Sequence, residues 1–297
     1  MKPSRDSAID FEVWLPESAW NGKYVGAGNG GFGGNVNYYR LAEAVNAGYV
    51  GSATDTGHKG ASAGRAWVAG HPASVIDFDS RAIHLTAAIT KAIVQAFYGE
   101  SPSRSYFNGC STGGRQALME AQRYPADYDG ILAGAPAFFL GRSVTPTDLR
   151  QNPDVAAFHA RGGKLILYHG ANDGPADTIA YYRRVVARLG DATAVQFLRL
   201  FVVPDMGHCG GGPVPEFGAR VTPRGDADHS MFAALERWVE RGVAPDRIVA
   251  IKYNVDDAPA TGVMRTRPLC AYPQRSRWTG NGAEDDASNY VCVPPAK

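Results

Sequence analysis

The chain has 297 residues, 44% of them hydrophobic, and its 30 basic residues against 29 acidic ones leave a formal net charge of +1. A chain of this size can bury a sizeable core as one domain spanning residues 1–297, and its near-neutral charge offers no field to steer it to nucleic acid or to an anionic membrane. No run approaches the roughly 18 apolar residues of a membrane span, and residues 1–10 lack the apolar core of a signal peptide.

In chain order, apolar runs alternate with amphipathic stretches, the pattern of a mostly parallel sheet covered by helices on both faces. Strands are predicted at residues 23–27 and 49–54, with a short helix at 41–46 between them. A long helix at 80–98 ends before Gly99. A short strand at 105–108, a turn at 109–113 and a helical stretch at 114–123 follow, closed by Tyr124-Pro125. Further strands are expected at 131–133, 164–169, 198–203 and 248–252, with helices at 155–160, 178–189 and 229–241. The last of these strands closes the pattern, and the tail from Asp256 reads as irregular.

Gly109-Cys110-Ser111-Thr112-Gly113 fits G-x-S-x-G between a predicted strand and a predicted helix, the context of a nucleophile elbow. Alone, the motif would equally suit a serine in an exposed Gly-rich turn. The strand–turn–helix setting favours a nucleophile and, with it, an α/β-hydrolase fold. A serine hydroxyl is a weak nucleophile at neutral pH, so a histidine must take its proton and a carboxylate must orient that histidine.

The chain order in such a fold is Ser, acid, His. Asp173 lies after the predicted strand 164–169 and His208 after the strand 198–203, both at strand C-terminal ends. Asp173 in Asn-Asp-Gly is also good turn chemistry. His58, His71, His159, His169 and His229 are rival histidines, and only chain order and loop position rank His208 above them. Gly28-Asn29-Gly30-Gly31, directly after the first predicted strand, stands where an oxyanion loop belongs, with Gly30 or Gly31 donating beside the N–H of Thr112. A phosphate cradle is disfavoured because no Lys-Ser/Thr ending follows.

Cys110, Cys209, Cys270 and Cys292 are too widely spaced for the usual zinc pairs, so no metal site is expected and the thiols are either free or paired. Cys110 adjoins the candidate nucleophile and Cys209 the candidate base. If Ser111 and His208 are within hydrogen-bond reach, a Cys110–Cys209 disulfide becomes sterically feasible and leaves Cys270 with Cys292. Two disulfides would place the chain in an oxidising compartment, secreted or periplasmic. Free thiols in a cytosolic protein, or Cys110 itself as nucleophile, are the alternatives.

The order Cys-Ser, then Asp, then His-Cys resembles the tannase and feruloyl esterase family. The resemblance extends over Phe11-Glu12-Val13-Trp14-Leu15-Pro16, Trp20-Asn21-Gly22-Lys23, the Gly28–Gly31 loop, and the elbow through Gly114-Arg115. It continues through Tyr124-Pro125-Ala126-Asp127-Tyr128-Asp129-Gly130, Gly134-Ala135-Pro136-Ala137, Gly162-Gly163-Lys164-Leu165, His208-Cys209, and Arg267-Pro268-Leu269-Cys270 to Cys292. It implies a Ser111–Asp173–His208 triad, both disulfides, no cofactor, and hydrolysis of esters of aromatic acids such as gallates, ferulates and a terephthalate mono-ester.

Members of that family carry a large lid with a calcium site between the Gly-Ala-Pro-Ala segment and the strand before the acid. Here only a short loop, about residues 138–149, stands in its place, so the calcium expectation does not carry over and the cleft should be more open. After the acid, Asp173-Gly174-Pro175 replaces the family's Pro-rich turn. The main expectation is a serine ester hydrolase acting on small or polymeric aromatic esters. Its rivals are a short-chain or aryl esterase without aromatic preference, an amidase or peptidase, and a non-catalytic module that binds aromatic ligands or glycans.

Overall fold

The computed structural model describes residues 1–60, 64–138, 144, 153–210, 216–221, 225–255 and 258–295. Most of the short loop expected at 138–149 lies outside the described residues. Seven strands form the central sheet: β1 (Phe11–Trp14), β2 (Lys23–Ala27), β3 (Val50–Thr54), β4 (Arg104–Cys110), β5 (Gly130–Gly134), β6 (Lys164–Gly170) and β7 (Leu198–Val203). Their order is β1-β3-β2-β4-β5-β6-β7; β1 is antiparallel to β3 and every other pair is parallel.

Parallel strands covered on both faces read as apolar runs rather than alternations. Accordingly, all five residues of β3 and of β5 are buried. Helices α1 (Tyr38–Asn46), α2 (Pro72–Ile76), α3 (Ala82–Tyr98), α4 (Thr112–Arg123), α5 (Ala156–Ala160), α6 (Ala176–Leu189), α7 (Asp191–Ala194) and α8 (Met231–Arg241) complete the frame. Two apolar clusters line the two faces of the sheet. One joins Ile83, Ala87 and Val94 of α3 to Leu118 of α4 and Tyr181 and Val185 of α6. The other joins Ala44 of α1 to Phe232, Leu235 and Trp238 of α8.

The helix ends follow local chemistry. Ser230 accepts a hydrogen bond from Ala233 N (3.2 Å) at the start of α8, so this helix begins two residues after the expected position. Among the described residues, no helix is long and apolar enough to cross a membrane.

Two departures from the sequence reading matter. Between α2 and α3 the backbone makes a π-helical turn, Asp77–Arg81, which includes the first two residues of the expected long helix. The tail is not irregular either: β8 (Arg247–Tyr253) is not the last strand, because β9 (Val263–Cys270) pairs with it antiparallel and β10 (Arg275–Trp278) pairs with β11 (Tyr290–Val293). Just past β9, Tyr272 N bonds Leu200 O (2.7 Å) and Ala271 bridges Phe201, so the outer edge of β7 is covered by the tail.

The π turn also fixes α4. Arg115, only 1% exposed, donates from Nη1 to Asp79 O (3.1 Å) and from Nη2 to the Asp79 carboxylate. Removing one partner of a buried ion pair strands the other charge away from water. Arg115→Ala is therefore expected to lower unfolding free energy by about 3–5 kcal/mol. Urea melts would measure this, and a loss under about 1 kcal/mol, the range of exposed pairs, would show that other contacts of the Asp79 carboxylate, such as Arg123 at 3.8 Å, compensate.

Candidate active site

The elbow is built where β4 passes into α4. Ser111 sits at φ 64°, ψ −120°, a left-handed φ that a non-glycine residue adopts only when its surroundings over-determine it. Those surroundings are backbone hydrogen bonds: Ser111 N to Gly134 O (2.9 Å), and Ala137 N and Arg115 N to Ser111 O (both 3.0 Å). The flanking glycines answer close approach. A Cβ at Gly109 would come within 2.6 Å of the Gly113 carbonyl, and one at Gly28 within 2.5 Å of Gly113 Cα.

The Gly28–Gly31 segment is fastened to this elbow. Gly28 N bonds Asn108 O (3.0 Å), Gly113 N bonds Asn29 O (2.7 Å), and Thr112 donates its hydroxyl to Gly31 O. The side chain of Asn29 donates to Thr54 O (2.7 Å) and Asn35 O (3.1 Å), and the Gln116 amide grips Asn29 at both N (3.0 Å) and Oδ1 (3.1 Å). Among the described residues, the backbone N–H groups of Thr112, Gly30 and Gly31 meet no acceptor. The Asn29–Gln116 clamp was not foreseen from sequence.

Asp173 ends a 3₁₀ turn, Ala171–Asp173, directly after β6, and His208 lies in the loop after β7. His208 Nδ1 is 2.7 Å from Asp173 Oδ2, and Asn172 N bonds Met206 O (3.0 Å), joining the two loops. A carboxylate only accepts, so in this hydrogen bond Nδ1 carries the proton and donates it. The Cys110–Cys209 disulfide, with Cα atoms 5.9 Å apart, then links the residue before Ser111 to the residue after His208. Cys270 and Cys292 form the second disulfide, Cα–Cα 5.7 Å.

A second histidine approaches the same carboxylate. His169 Nε2 lies 3.1 Å from Asp173 Oδ2, outside hydrogen-bond angles, and its Nδ1 is 2.8 Å from the Thr178 hydroxyl. Burial holds the imidazole pKa below its usual value, against the opposing pull of Asp173, so the ring is neutral at pH 7. Its position four residues before Asp173, at the end of a buried strand, was the available signal, and sequence ranked it only as a rival to His208.

The remaining histidines are engaged elsewhere: His71 with Asp6 (3.1 Å), His84 with Asp127 (2.6 Å), His159 with Gln196 (3.3 Å), His229 with Asp226 (2.9 Å), and His58 stacked on Trp67. Among the described residues, no three His, Cys, Asp or Glu side chains gather as metal ligands would.

An elbow serine, a carboxylate-bound imidazole and backbone N–H groups without an acceptor on an α/β-hydrolase sheet are the parts that acyl transfer uses. The sequence model of tannase and feruloyl esterase matches residues 1–148 and 141–293. The chain belongs to the tannase and feruloyl esterase family and is a carboxylic ester hydrolase.

It is 29% identical to an uncharacterized esterase of Xanthomonas campestris pv. campestris over 98% of this chain and 83% of that protein. A probable feruloyl esterase B-2 of Neosartorya fischeri is 25% identical over 98% of this chain and 84% of its own. The crystal structure of feruloyl esterase B from Aspergillus oryzae superposes with a TM-score of 0.85 at 23% identity, covering 98% of this chain and 89% of that one, which shows the shared fold. The Xanthomonas alignment runs over 478 positions, far beyond the 297 residues present, and the two stretches of family match meet at residues 141–148. The chain is thus a reduced form beside these relatives.

Proposed function

We propose that the chain hydrolyses esters of aromatic acids through an acyl-enzyme. The observation that carries this reading is the disulfide that ties the strained Ser111 elbow to the His208–Asp173 pair. Ser111 Oγ attacks the ester carbonyl and passes its proton to His208 Nε2, while Asp173 stabilises the imidazolium. The negative charge on the former carbonyl oxygen accepts hydrogen bonds from Thr112 N and from Gly30 or Gly31 N. Collapse expels the alcohol, protonated by His208, and a water deprotonated by the same histidine then frees the acid.

Each step uses groups of this chain alone, within one catalytic domain spanning residues 1–297. The two disulfides support an oxidising compartment for that work, outside the cell or in the periplasm. The relatives named as feruloyl esterases support the aromatic-acid preference.

The test is hydrolysis of methyl gallate, methyl ferulate, a terephthalate mono-ester and a short-chain aryl acetate, each against its amide. Faster turnover of the aromatic-acid esters is the expected result. Turnover of the acetate alone would leave a general short-chain esterase, amide cleavage would change the leaving-group class, and no turnover would favour a binding module.

A further inference from the structure

An aromatic wall stands beside the elbow, and nothing above gives it a role. Phe32 directly follows Gly31, the residue whose carbonyl accepts the Thr112 hydroxyl. The π turn holds Phe78 as a buried floor, 1% exposed, with the rings of Trp67 and Phe32 at 5.1 and 6.5 Å from its centroid. Ala137 packs on Phe78 in the same cluster, and its N–H bonds the Ser111 carbonyl. The wall therefore runs from the Gly30–Gly31 loop to the backbone of the nucleophile.

Its outer members are not sealed: Phe32 and Trp67 are only half-buried. Trp67 is nevertheless tied in place at two points: its Nε1 donates to Gly64 O (3.1 Å) and the buried His58 stacks on its ring at 3.9 Å and 17°. Arg65 lies 5.3 Å over Phe32 and has no ion pair among the described residues. Thr56, two residues before His58, is fully buried at φ 64°, and π-helical turns frequently mark functional sites, so backbone of costly conformation supports the wall twice over. Burial holds His58 below its usual pKa, so its ring is a neutral platform rather than a cation.

We infer that Phe32 and Trp67 form the acyl subsite, where a planar aromatic acyl group lies against the two rings while its ester carbonyl meets Ser111. The inference rests on the hydrolase reading above. A flat aromatic acid matches fixed aromatic faces at little entropic cost, and a flexible aliphatic acyl chain does not. Selection for aromatic acids is then built into the α/β-hydrolase body itself and persists in this reduced form.

Two measurements test it. In wild type and Trp67→Leu, kcat/KM is compared for methyl ferulate and methyl butyrate, which share an alcohol and differ in the acyl group. The ferulate-to-butyrate ratio should fall about tenfold in Trp67→Leu and in Phe32→Leu, the size of one lost aromatic contact, and recover in Trp67→Tyr. Phe97→Leu, on the far end of α3 and 62% exposed, should leave the ratio unchanged.

Calorimetric binding of methyl ferulate to Ser111→Ala, against Ser111→Ala/Trp67→Leu, reads the subsite without turnover and should show the same tenfold weakening. An unchanged ratio and unchanged affinity in folded Trp67→Leu and Phe32→Leu proteins would overturn the subsite while leaving the hydrolase intact. Undiminished hydrolysis by Ser111→Ala would instead overturn the hydrolase reading and the subsite with it.

Discussion

Ser111→Ala is expected to lower kcat for methyl ferulate by roughly 10⁴- to 10⁶-fold, with the melting temperature moved by no more than a few degrees. The two halves of this expectation have separate causes. In the proposed mechanism the hydroxyl is the only part of Ser111 that reacts, whereas the elbow is held by backbone: Ser111 N on Gly134 O, and Ala137 N and Arg115 N on Ser111 O. Alanine keeps those bonds and meets the same strain at φ 64°. Residual rate would come from the oxyanion donors and binding. The neighbouring thiol cannot substitute, because Cys110 is held in a disulfide. Steady-state rates and circular-dichroism melts on the same preparation measure both halves, and turnover near wild type would place the nucleophile elsewhere.

Opening the Cys110–Cys209 bridge, by Cys110→Ser with Cys209→Ser, is expected to cost about 4–5 kcal/mol of stability in the chain-entropy model. The bridge spans 99 residues, so the unfolded chain regains far more freedom than on opening Cys270–Cys292, which spans 22 and should cost about 3 kcal/mol. Activity should fall further than stability alone requires. His208 is half exposed and rests on Asp173, and the remaining described ties between its loop and its neighbours are few, among them Asn172 N on Met206 O. Denaturant unfolding with and without reductant, beside kcat/KM at a temperature where the variant remains folded, separates the two losses. Full activity in the folded variant would show that packing alone keeps His208 in register with the elbow.

The sheet and the placement of the candidate site residues were legible because their signals are local. Buried parallel strands such as Leu165-Ile166-Leu167 announce themselves as apolar runs, and Gly109 and Gly28 are demanded by backbone contacts too close for a Cβ. Asp173 and His208 followed from chain order at strand ends. Other parts carry no such signal. β10 is Arg-Ser-Arg-Trp with every residue exposed, so neither alternation nor burial marks it, and its pairing with β11 is settled by the tertiary fold. β9 contains Pro268, which argues against a strand until its pairing opposite Val249 is seen. The π turn, the Arg115–Asp79 pair and the approach of His169 to Asp173 join groups whose adjacency only packing decides.

The tail that crosses β7 also bears on solubility. Leu198–Val203 is an apolar strand at the border of the sheet, and its hydrogen-bonding edge meets Ala271 and Tyr272. An uncovered edge of this kind is a template on which a neighbouring molecule can add its own strand. A chain shortened before Ala271 would keep all of Ser111, Asp173 and His208 and yet present that template to solvent. Self-association, ahead of any lost chemistry, would then limit such a truncated protein.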